Sequence, residues 1–293
     1  MKKTISIMLA LVLCIGLCAC GSGDTPANQG NSAVPAPGAE NTQEKKDGIP
    51  DISTAKVLKE GACGETAEFQ LYDNGVLVIS GTGSVASDNP FGTYGDHLKY
   101  IRIEEGITDI EDRAFRDVDS FSIVELPSTL KTIGVYAFGE CFGLKTINFP
   151  EGLVSIGSNA FCITSIESIE LPSTISSIEE GTFSYNDRLK MVTIPGNVKT
   201  IGKGAFQDCD SLEVIILCDG VEVIEDNAFD GKGSRKMAIP DSVQMIGSDN
   251  IDYRTKIYCN DNSQAIYWAE AYRCDTIDTV VGYDGFVRNY DLP

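Results

Sequence analysis

The 293-residue sequence predicts a mainly β solenoid built from units of about 23 residues, closed by a small N-terminal β cap and a short helical C-terminal cap. Three residue series that recur in step carry this prediction. Six phenylalanines, each preceded by a small residue, are spaced by 23, 23, 22, 23 and 23 residues: Phe115, Phe138, Phe161, Phe183, Phe206 and Phe229. A proline series and an isoleucine series keep the same period: Pro127, Pro150, Pro172, Pro195 and Pro240, and Ile110, Ile133, Ile156, Ile178, Ile201, Ile224 and Ile246. Such a period is typical of units that bury their apolar faces only against their neighbours.

Composition argues against a nucleic-acid partner. The chain is 42% hydrophobic and 23% charged, which is ordinary for a folded protein, but its net charge is −20. An acidic balance of this size repels phosphate backbones and anionic membrane surfaces. We therefore expect no nucleic-acid binding, and we interpret the charge as favouring solubility at high local density.

The N-terminal residues 1–20 are predicted to be a lipoprotein signal peptide. Lys2 and Lys3 form a basic start, and residues 5–17 form an apolar stretch that is short for a membrane span. The following Leu-Cys-Ala-Cys-Gly ends in Cys20 and Gly21 and resembles the lipobox of bacterial lipoproteins. That resemblance implies that Cys20 is lipidated and anchors the protein on the extracellular face of the bacterial cytoplasmic membrane, exposed to the cell wall or surface. The alternative is an ordinary secretory signal that leaves a free protein.

Two segments precede the repeats. Residues 21–52 are rich in Gly, Ser, Pro, Ala, Asn and Gln without apolar rhythm, which predicts a disordered tether. Residues 53–97 are predicted to form the N-terminal β cap, because two apolar stretches flank Asp73, Asn74 and Gly75, a combination typical of a tight hairpin turn.

Residues 98–248 are predicted to form the solenoid itself. In each unit, apolar residues at the first, fourth and sixth places precede proline, as in Leu144, Ile147, Phe149 and Pro150. The last two of these residues should point inward from a short strand, and the residues beside them should point outward. A second short strand and a turn containing the phenylalanine complete the unit. The phenylalanines are predicted to stack as a spine through the core.

Residues 249–281 are predicted to form a C-terminal cap. Ser263 is a candidate N-cap for a helix that reaches Tyr272, and Trp268 is interpreted as a residue covering the last coil. Residues 282–293 form a tail too short to assign. Both Cys259 and Cys274 lie in this cap and are a candidate disulfide pair.

Cys141 and Cys209 stand three residues after their phenylalanines, where Val118 also stands. This shared place in the unit predicts buried structural cysteines rather than reactive thiols.

The unit Leu-Lys-Thr-Ile-Asn-Phe-Pro-Glu-Gly-Leu-Val-Ser-Ile-Gly-Ser-Asn-Ala-Phe, residues 144–161, resembles the BspA-like leucine-rich repeat of bacterial surface proteins. The resemblance covers about residues 63–274. It implies a leucine-rich-repeat solenoid at the cell surface, with a role in adhesion or surface contact. The resemblance gives almost no indication of which ligand is bound.

No catalytic site, metal site or cofactor is predicted. His97 is the only histidine and cannot support a multi-histidine zinc site. Carboxylates cluster at Glu104, Glu105, Glu111 and Asp112, and we interpret them as a solvated face rather than a hydrolase pair. Turn aspartates recur but match no twelve-residue calcium loop.

The outward strand residues form the candidate binding surface. Stacked strands place them in rows about 4.8 Å apart, on a sheet that suits a protein or glycan partner. Met191, Val214 and Ile216 would form an apolar patch there, although β-branched residues favour strands whatever they contact. The candidate ligand-binding residues are Tyr100, Arg102, Ile123, Glu125, Asn148, Glu170, Met191, Thr193, Val214 and Ile216.

The leading hypothesis is a lipid-anchored surface module that binds protein or glycan partners. The alternative is a structural envelope spacer or complex subunit without its own ligand. A hydrolase is the third hypothesis.

Overall fold

The computed structural model describes residues 48–87, 90–250, 254–261, 263–271, 274, 276–278 and 282–288. The predicted signal peptide, its Cys20 and tether residues 21–47 lie outside the described residues. Within these ranges, no helix has the length and apolar content that crossing a bilayer requires.

The chain winds into a mainly β solenoid of about 8 turns, as predicted. The α-helices in the described part of the chain are α1 (Gln264–Ala271) and α2 (Gly282–Arg288), and a 3₁₀ helix spans Pro90–His97. The strands are β1 (Val57–Ala62), β2 (Ala67–Tyr72), β3 (Val76–Gly81), β4 (Gly83–Val85), β5 (Tyr100–Ile103), β6 (Ile107–Ile110), β7 (Ile123–Glu125), β8 (Thr132–Ile133), β9 (Thr146–Ile147), β10 (Ser155–Ile156), β11 (Ser177–Ile178), β12 (Met191–Ile194), β13 (Thr200–Ile201), β14 (Val214–Leu217), β15 (Val223–Ile224), β16 (Lys236–Ala238), β17 (Met245–Ile246), β18 (Lys256–Tyr258) and β19 (Thr276–Asp278).

The strands form two walls of the solenoid. The first wall contains a six-stranded sheet, β1-β2-β3-β5-β7-β9, and a five-stranded sheet, β12-β14-β16-β18-β19. The second wall contains β10-β8-β6-β4 and β11-β13-β15-β17. Pairing between successive turns is parallel and in register, so that Ile101 lies beside Val124 and Val124 beside Ile147. Equivalent side chains of successive turns therefore form columns.

The predicted N-terminal hairpin is present. Strands β2 and β3 are antiparallel, and Gly75 in the turn between them has φ of +88°, which glycine adopts without steric cost. Strand β3 then pairs in parallel with β5, so the parallel part of this sheet begins at Val76.

The phenylalanines stack as the spine predicted from their spacing. All six are essentially inaccessible to solvent, and their ring centroids are separated by 5.0, 5.3, 5.7, 5.4 and 5.3 Å along the chain. Phe91 extends the stack by one ring, 5.0 Å from Phe115. The core is thus a continuous aromatic column inside the aliphatic residues of the two walls.

The turns that carry the phenylalanines form a third wall that the sequence did not predict. From Phe115 to Phe206, each phenylalanine amide donates to the backbone carbonyl of the small residue that precedes the next phenylalanine, as from Phe115 to Ala137 at 2.8 Å and from Phe138 to Ala160 at 2.8 Å. The residues two before and two after the phenylalanine have positive φ, for example Tyr136 at 55° and Glu140 at 64°. These residues in the left-handed conformation reverse the chain direction before and after each phenylalanine. The backbone amide of the phenylalanine therefore faces the neighbouring turn.

Both strand walls are interrupted at one level, which we call the break. The first wall lacks a strand at residues 166–171, between β9 and β12, and the second wall has no pairing between β10 and β11 in the described chain. The third wall continues across, because Phe161 donates to the carbonyl of Thr182 at 2.9 Å. The break coincides with the one 22-residue interval, from Phe161 to Phe183, where the ring separation reaches 5.7 Å. A unit one residue short cannot keep all three walls in register with its neighbours.

The predicted buried cysteine position is confirmed as structural. The Cys141 thiol donates to the Phe115 carbonyl at 3.1 Å, and the Cys209 thiol donates to the Phe183 carbonyl at 3.2 Å. Asn186 occupies the same position in the turn between them and donates to the Phe161 carbonyl at 2.9 Å. Burial raises the pKa of Cys209 to about 12, so its thiol stays protonated.

The predicted short helix near the C-terminus is present as α1. Ser263 caps α1 as predicted, since its hydroxyl accepts the Ala265 amide at 3.2 Å, and Trp268 packs half-buried against the core. Strands β18 and β19 continue the first wall beyond residue 248.

The predicted disulfide is wrong for this structure, because Cys259 and Cys274 are not bonded to each other. Ile257 pairs with Ile277, so Cys259 follows β18 whereas Cys274 precedes β19. The two cysteines stand at opposite ends of the paired strands, which does not suit the short Cα separation that a disulfide requires.

Candidate functional site

The outward side chains of the first wall, from β5 to β18, form a surface that we call the first-wall face. Parallel register places Tyr100, Ile123 and Thr146 in one column of this face. A second column begins with Arg102 beside Glu125. All ten residues predicted as ligand contacts belong to this face, but they differ in what covers them.

The N-terminal end of the first-wall face is partly covered by residues expected in the tether. A Cβ atom built at Gly48 would lie 3.3 Å from Ile123 Cδ1, and the Asp51 carbonyl accepts a hydrogen bond from the Asn74 side chain at 3.0 Å. Hydrogen bonds from Ser53 lower the pKa of Asp51, and the charge of Arg102 lowers it further. Residues from Gly48 onward, which belong to the segment predicted as a tether, therefore pack against the first-wall face.

At this end, Arg102 and Glu125 form an ion pair with each other at 3.1 Å. Both are half-buried, as are Tyr100 and Ile123. Arg102 and Glu125 are thus already engaged with each other, and Ile123 lies against Gly48.

The C-terminal end of the first-wall face lies under α2. Phe286 is 3% exposed and stacks on Tyr258 with ring centroids 3.9 Å apart. The Tyr283 hydroxyl donates to the Leu217 carbonyl at 2.9 Å, and burial raises the pKa of Tyr283, which keeps the phenol protonated as a donor.

The prediction that Ile216 is an exposed contact is wrong. Its side chain points outward from β14 as expected, but it is 0% exposed because it packs beneath α2 with Ala238 and Phe286. Val214 is half-buried beside the same cluster. Sequence alternation gave the direction of these side chains correctly and could not show what covers them.

Between the two covered ends lies the open window, which we define as Thr146, Asn148, Ser168, Glu170, Met191 and Thr193. The first five are exposed and Thr193 is half-buried. Met191 is 43% exposed, an unusual value for a large apolar side chain on a sheet. The open window spans the break, because Ser168 and Glu170 belong to the segment without a strand. Four of the predicted contacts lie here: Asn148, Glu170, Met191 and Thr193.

The acidic cluster of the first unit serves structural hydrogen bonds. Glu105 accepts the Ser128 amide at 2.9 Å, and Asp112 accepts the Val135 amide at 2.7 Å. Glu111 accepts the Ser84 hydroxyl at 2.7 Å. Each bond joins one turn to the next, and bonds of this kind lower the pKa of Glu105 and Glu111. These carboxylates are therefore acceptors that hold turns together.

The remaining chemical candidates stay dispersed. Within the described ranges, no three His, Cys, Asp or Glu side chains come together to hold a metal ion. His97 is exposed at the end of the 3₁₀ helix. A cleft of about 370 Å³ opens beside Val214 and Lys236, lined also by Asp210 and Glu213.

Two features of the first-wall face were not predicted from the sequence. They are the packing of Gly48 against Ile123 and the helix α2 over the C-terminal end of the face. A signal for α2 was available in Tyr283, Phe286 and Val287, whose spacing of three and four residues places them on one helical face.

Comparison with known protein families identifies the repeats. A model of the BspA type leucine rich repeat region matches six copies over residues 88–213 and 183–281. A search of curated proteins found none that matches the sequence.

Three solved structures are similar to this chain to different degrees. A leucine-rich repeat protein from Bacteroides ovatus ATCC 8483 is 21% identical with a TM-score of 0.58, and the match covers 73% of this chain. This chain spans 59% of the length of that protein. The T. pallidum leucine rich repeat protein is 24% identical with a TM-score of 0.46, covering 75% of this chain and 90% of that one. A leucine rich cell surface protein from Faecalibacterium prausnitzii A2-165 is 17% identical with a TM-score of 0.38, covering 80% and 97%.

Proposed function

The chain belongs to the family of BspA type leucine-rich repeat proteins, and we propose that it is a surface recognition module that binds a protein partner through the open window. Leucine-rich repeat proteins generally bind protein partners, and BspA-like members are usually surface-exposed. The observation that carries the proposal is the position of the open window on the first-wall face. Segments of the chain cover this face at both ends and leave the middle exposed.

The chemistry of the open window suits a protein surface. Asn148, Ser168 and Thr193 offer hydrogen-bond donors and acceptors, Glu170 offers a charge, and Met191 offers a flexible apolar contact. Methionine adapts to irregular partner surfaces because its side chain is unbranched and polarisable. The net charge of −20 favours a partner with a basic contact surface.

Binding is favoured over catalysis by the use of the carboxylates. Glu105, Glu111 and Asp112 accept hydrogen bonds from backbone amides or hydroxyls of neighbouring turns, which leaves them poorly placed as general acids.

The proposal is tested by proximity labelling on intact cells that express the whole protein. Asn148→Arg and Met191→Glu, combined, should abolish labelling of the specific partner. The matched control is Val154→Glu, because Val154 is 53% exposed but lies outside the first-wall face. Unchanged labelling with the double variant would refute the open window as the binding site. Recovery of this protein alone would instead support a structural spacer.

We also propose that Cys20 anchors the protein by lipidation. The support is the match of residues 17–21 to the lipobox pattern. Cys20→Ala should block incorporation of labelled palmitate and release the protein into the medium. Retention of both label and membrane association would refute the anchor.

A further inference from the structure

We propose that α2 is an internal ligand of the first-wall face that a partner helix displaces. This inference rests on the proposed function, since it extends the binding surface from the open window to the area beneath α2. We call that area the α2 seat: the side chains of Val214, Ile216, Ala238 and Tyr258, with the backbone carbonyl of Leu217.

The α2 seat has the contact chemistry of a helix-binding groove. Tyr283, Phe286 and Val287 project from one face of α2 onto it, with the spacing of three and four residues by which short helices dock in grooves. The Phe286 ring is the buried anchor of α2, and its centroid lies 3.9 Å from the centroid of the Tyr258 ring. The seat and α2 form an apolar cluster of their own, separate from the cluster that contains the phenylalanine stack.

The α2 seat also provides one directional contact. Strand β14 runs to Leu217, whereas its neighbour β16 ends at Ala238, which pairs with Ile216. The Leu217 carbonyl thus lies beyond the paired region with β16, and it accepts the Tyr283 hydroxyl at 2.9 Å. An aromatic hydroxyl three residues before a phenylalanine fits this arrangement.

The composition of α2 suits displacement. It has seven residues, and Gly282 and Gly285 are among them, so it has little helical stability of its own. Because its anchor packs outside the main core cluster, α2 can open locally while the solenoid stays folded.

The α2 seat is continuous with the open window. Met191 in the window pairs in register with Val214 in the seat. A partner that presents a short amphipathic helix with a Tyr-x-x-Phe-Val pattern would therefore occupy the seat and continue onto the window. The partner we infer is a protein with such a helix.

The test uses a fluorescein-labelled peptide of residues 281–290 and the whole protein, with binding followed by fluorescence anisotropy. Phe286→Ala weakens the internal helix and should bind the peptide at least about tenfold more tightly than the wild type, because the seat is vacant in a larger fraction of molecules. Asp284→Ala changes an exposed residue of α2 and should behave as the wild type. A peptide that carries its own Phe286→Ala change should bind neither protein.

The seat is checked by a second substitution. Ala238→Glu, added to Phe286→Ala, places a charge under the peptide and should abolish binding. If Phe286→Ala does not fold, Tyr283→Phe loses only the hydrogen bond to Leu217 and should bind the peptide several-fold more tightly than the wild type. If the wild type binds the peptide as tightly as Phe286→Ala does, or as tightly as Tyr283→Phe where that variant replaces it, the inference is overturned.

The two proposals fail in distinguishable ways. If the Asn148→Arg, Met191→Glu double variant loses the partner but Phe286→Ala does not bind the peptide more tightly, displacement of α2 is refuted and the recognition function stands. If Phe286→Ala does bind the peptide more tightly but the double variant labels the partner as the wild type does, the open window is refuted as the binding site. On intact cells, Phe286→Ala should increase labelling of the partner.

Discussion

Replacing Phe206 tests whether the aromatic column stabilises the solenoid. The Phe206 ring is 0% exposed and lies between the rings of Phe183 and Phe229. The centroid separations are 5.4 and 5.3 Å, and the interplanar angles are 16° and 4°. Leucine at this position keeps an apolar side chain and removes both ring contacts. Alanine removes the ring contacts and leaves a cavity as well.

The two substitutions should differ in cost. Two aromatic pairs contribute about 0.5–1.5 kcal/mol each, so Phe206→Leu should lower the free energy of unfolding by about 1–3 kcal/mol. Phe206→Ala should lower it by about 3–5 kcal/mol, because the lost transfer energy and the cavity are added.

Urea unfolding followed by far-UV circular dichroism measures both values. The matched control is Phe142→Ala, since Phe142 is 55% exposed and its replacement should change stability by less than about 0.5 kcal/mol. The slope with urea should be unchanged, which would show that the midpoint shift reports stability. If Phe206→Ala costs no more than Phe142→Ala, the column does not stabilise the fold as described.

Three further predictions concern the break, the carboxylates and the buried thiols. Amides of Ser168–Leu171 should exchange with deuterium faster than those of Val192–Ile194, because the former lie in no strand; equal protection would contradict the break. The pKa of Glu105 is lowered by its bonds to the next turn, so its stabilisation is present above its ordinary pKa and lost as the pH falls through the folded value. The melting temperature of Glu105→Gln should therefore be below that of the wild type at about pH 7 and converge with it as the pH falls below the folded pKa of Glu105; a constant gap would exclude this role. Iodoacetamide at pH 8 should leave Cys209 unmodified in the native protein and alkylate it in urea, since burial raises its pKa to about 12; rapid native labelling would show that the thiol is accessible.

The period of the phenylalanines was sufficient to predict the solenoid and its core. Buried positions recur because each turn meets the same environment, which is why one unit predicts the others. Phe91 was missed because proline, not a small residue, precedes it, at an interval of 24 residues from Phe115. The third wall was missed for a different reason. Arg113, Tyr136 and Ile163 have positive φ although none of them favours it, so neighbouring turns impose this conformation.

The candidate site could be predicted only in part. Alternation along a strand gives the side of the sheet on which Asn148 and Met191 lie, and both are exposed there. It gave the correct side for Ile216 as well. The cover over Ile216 comes from α2, whose Tyr283 contacts a residue 66 positions earlier in the chain. Contacts of that separation leave no local pattern in the sequence.

The break also determines where the molecule should yield to mechanical force. In a stack of turns, a pull between the two ends passes through each interface in series, and the weakest interface opens first. No strand pairs cross the break in the described chain. The contacts retained there are the amide bonds of the third wall, side-chain hydrogen bonds from Ser173, Thr174 and Asn186, and the most widely spaced pair of the phenylalanine stack, Phe161 and Phe183, whose ring centroids are 5.7 Å apart. Tension on a bound partner should therefore separate the array into two folded blocks at the break. The 22-residue unit between them would extend by about 75 Å before either block unfolds.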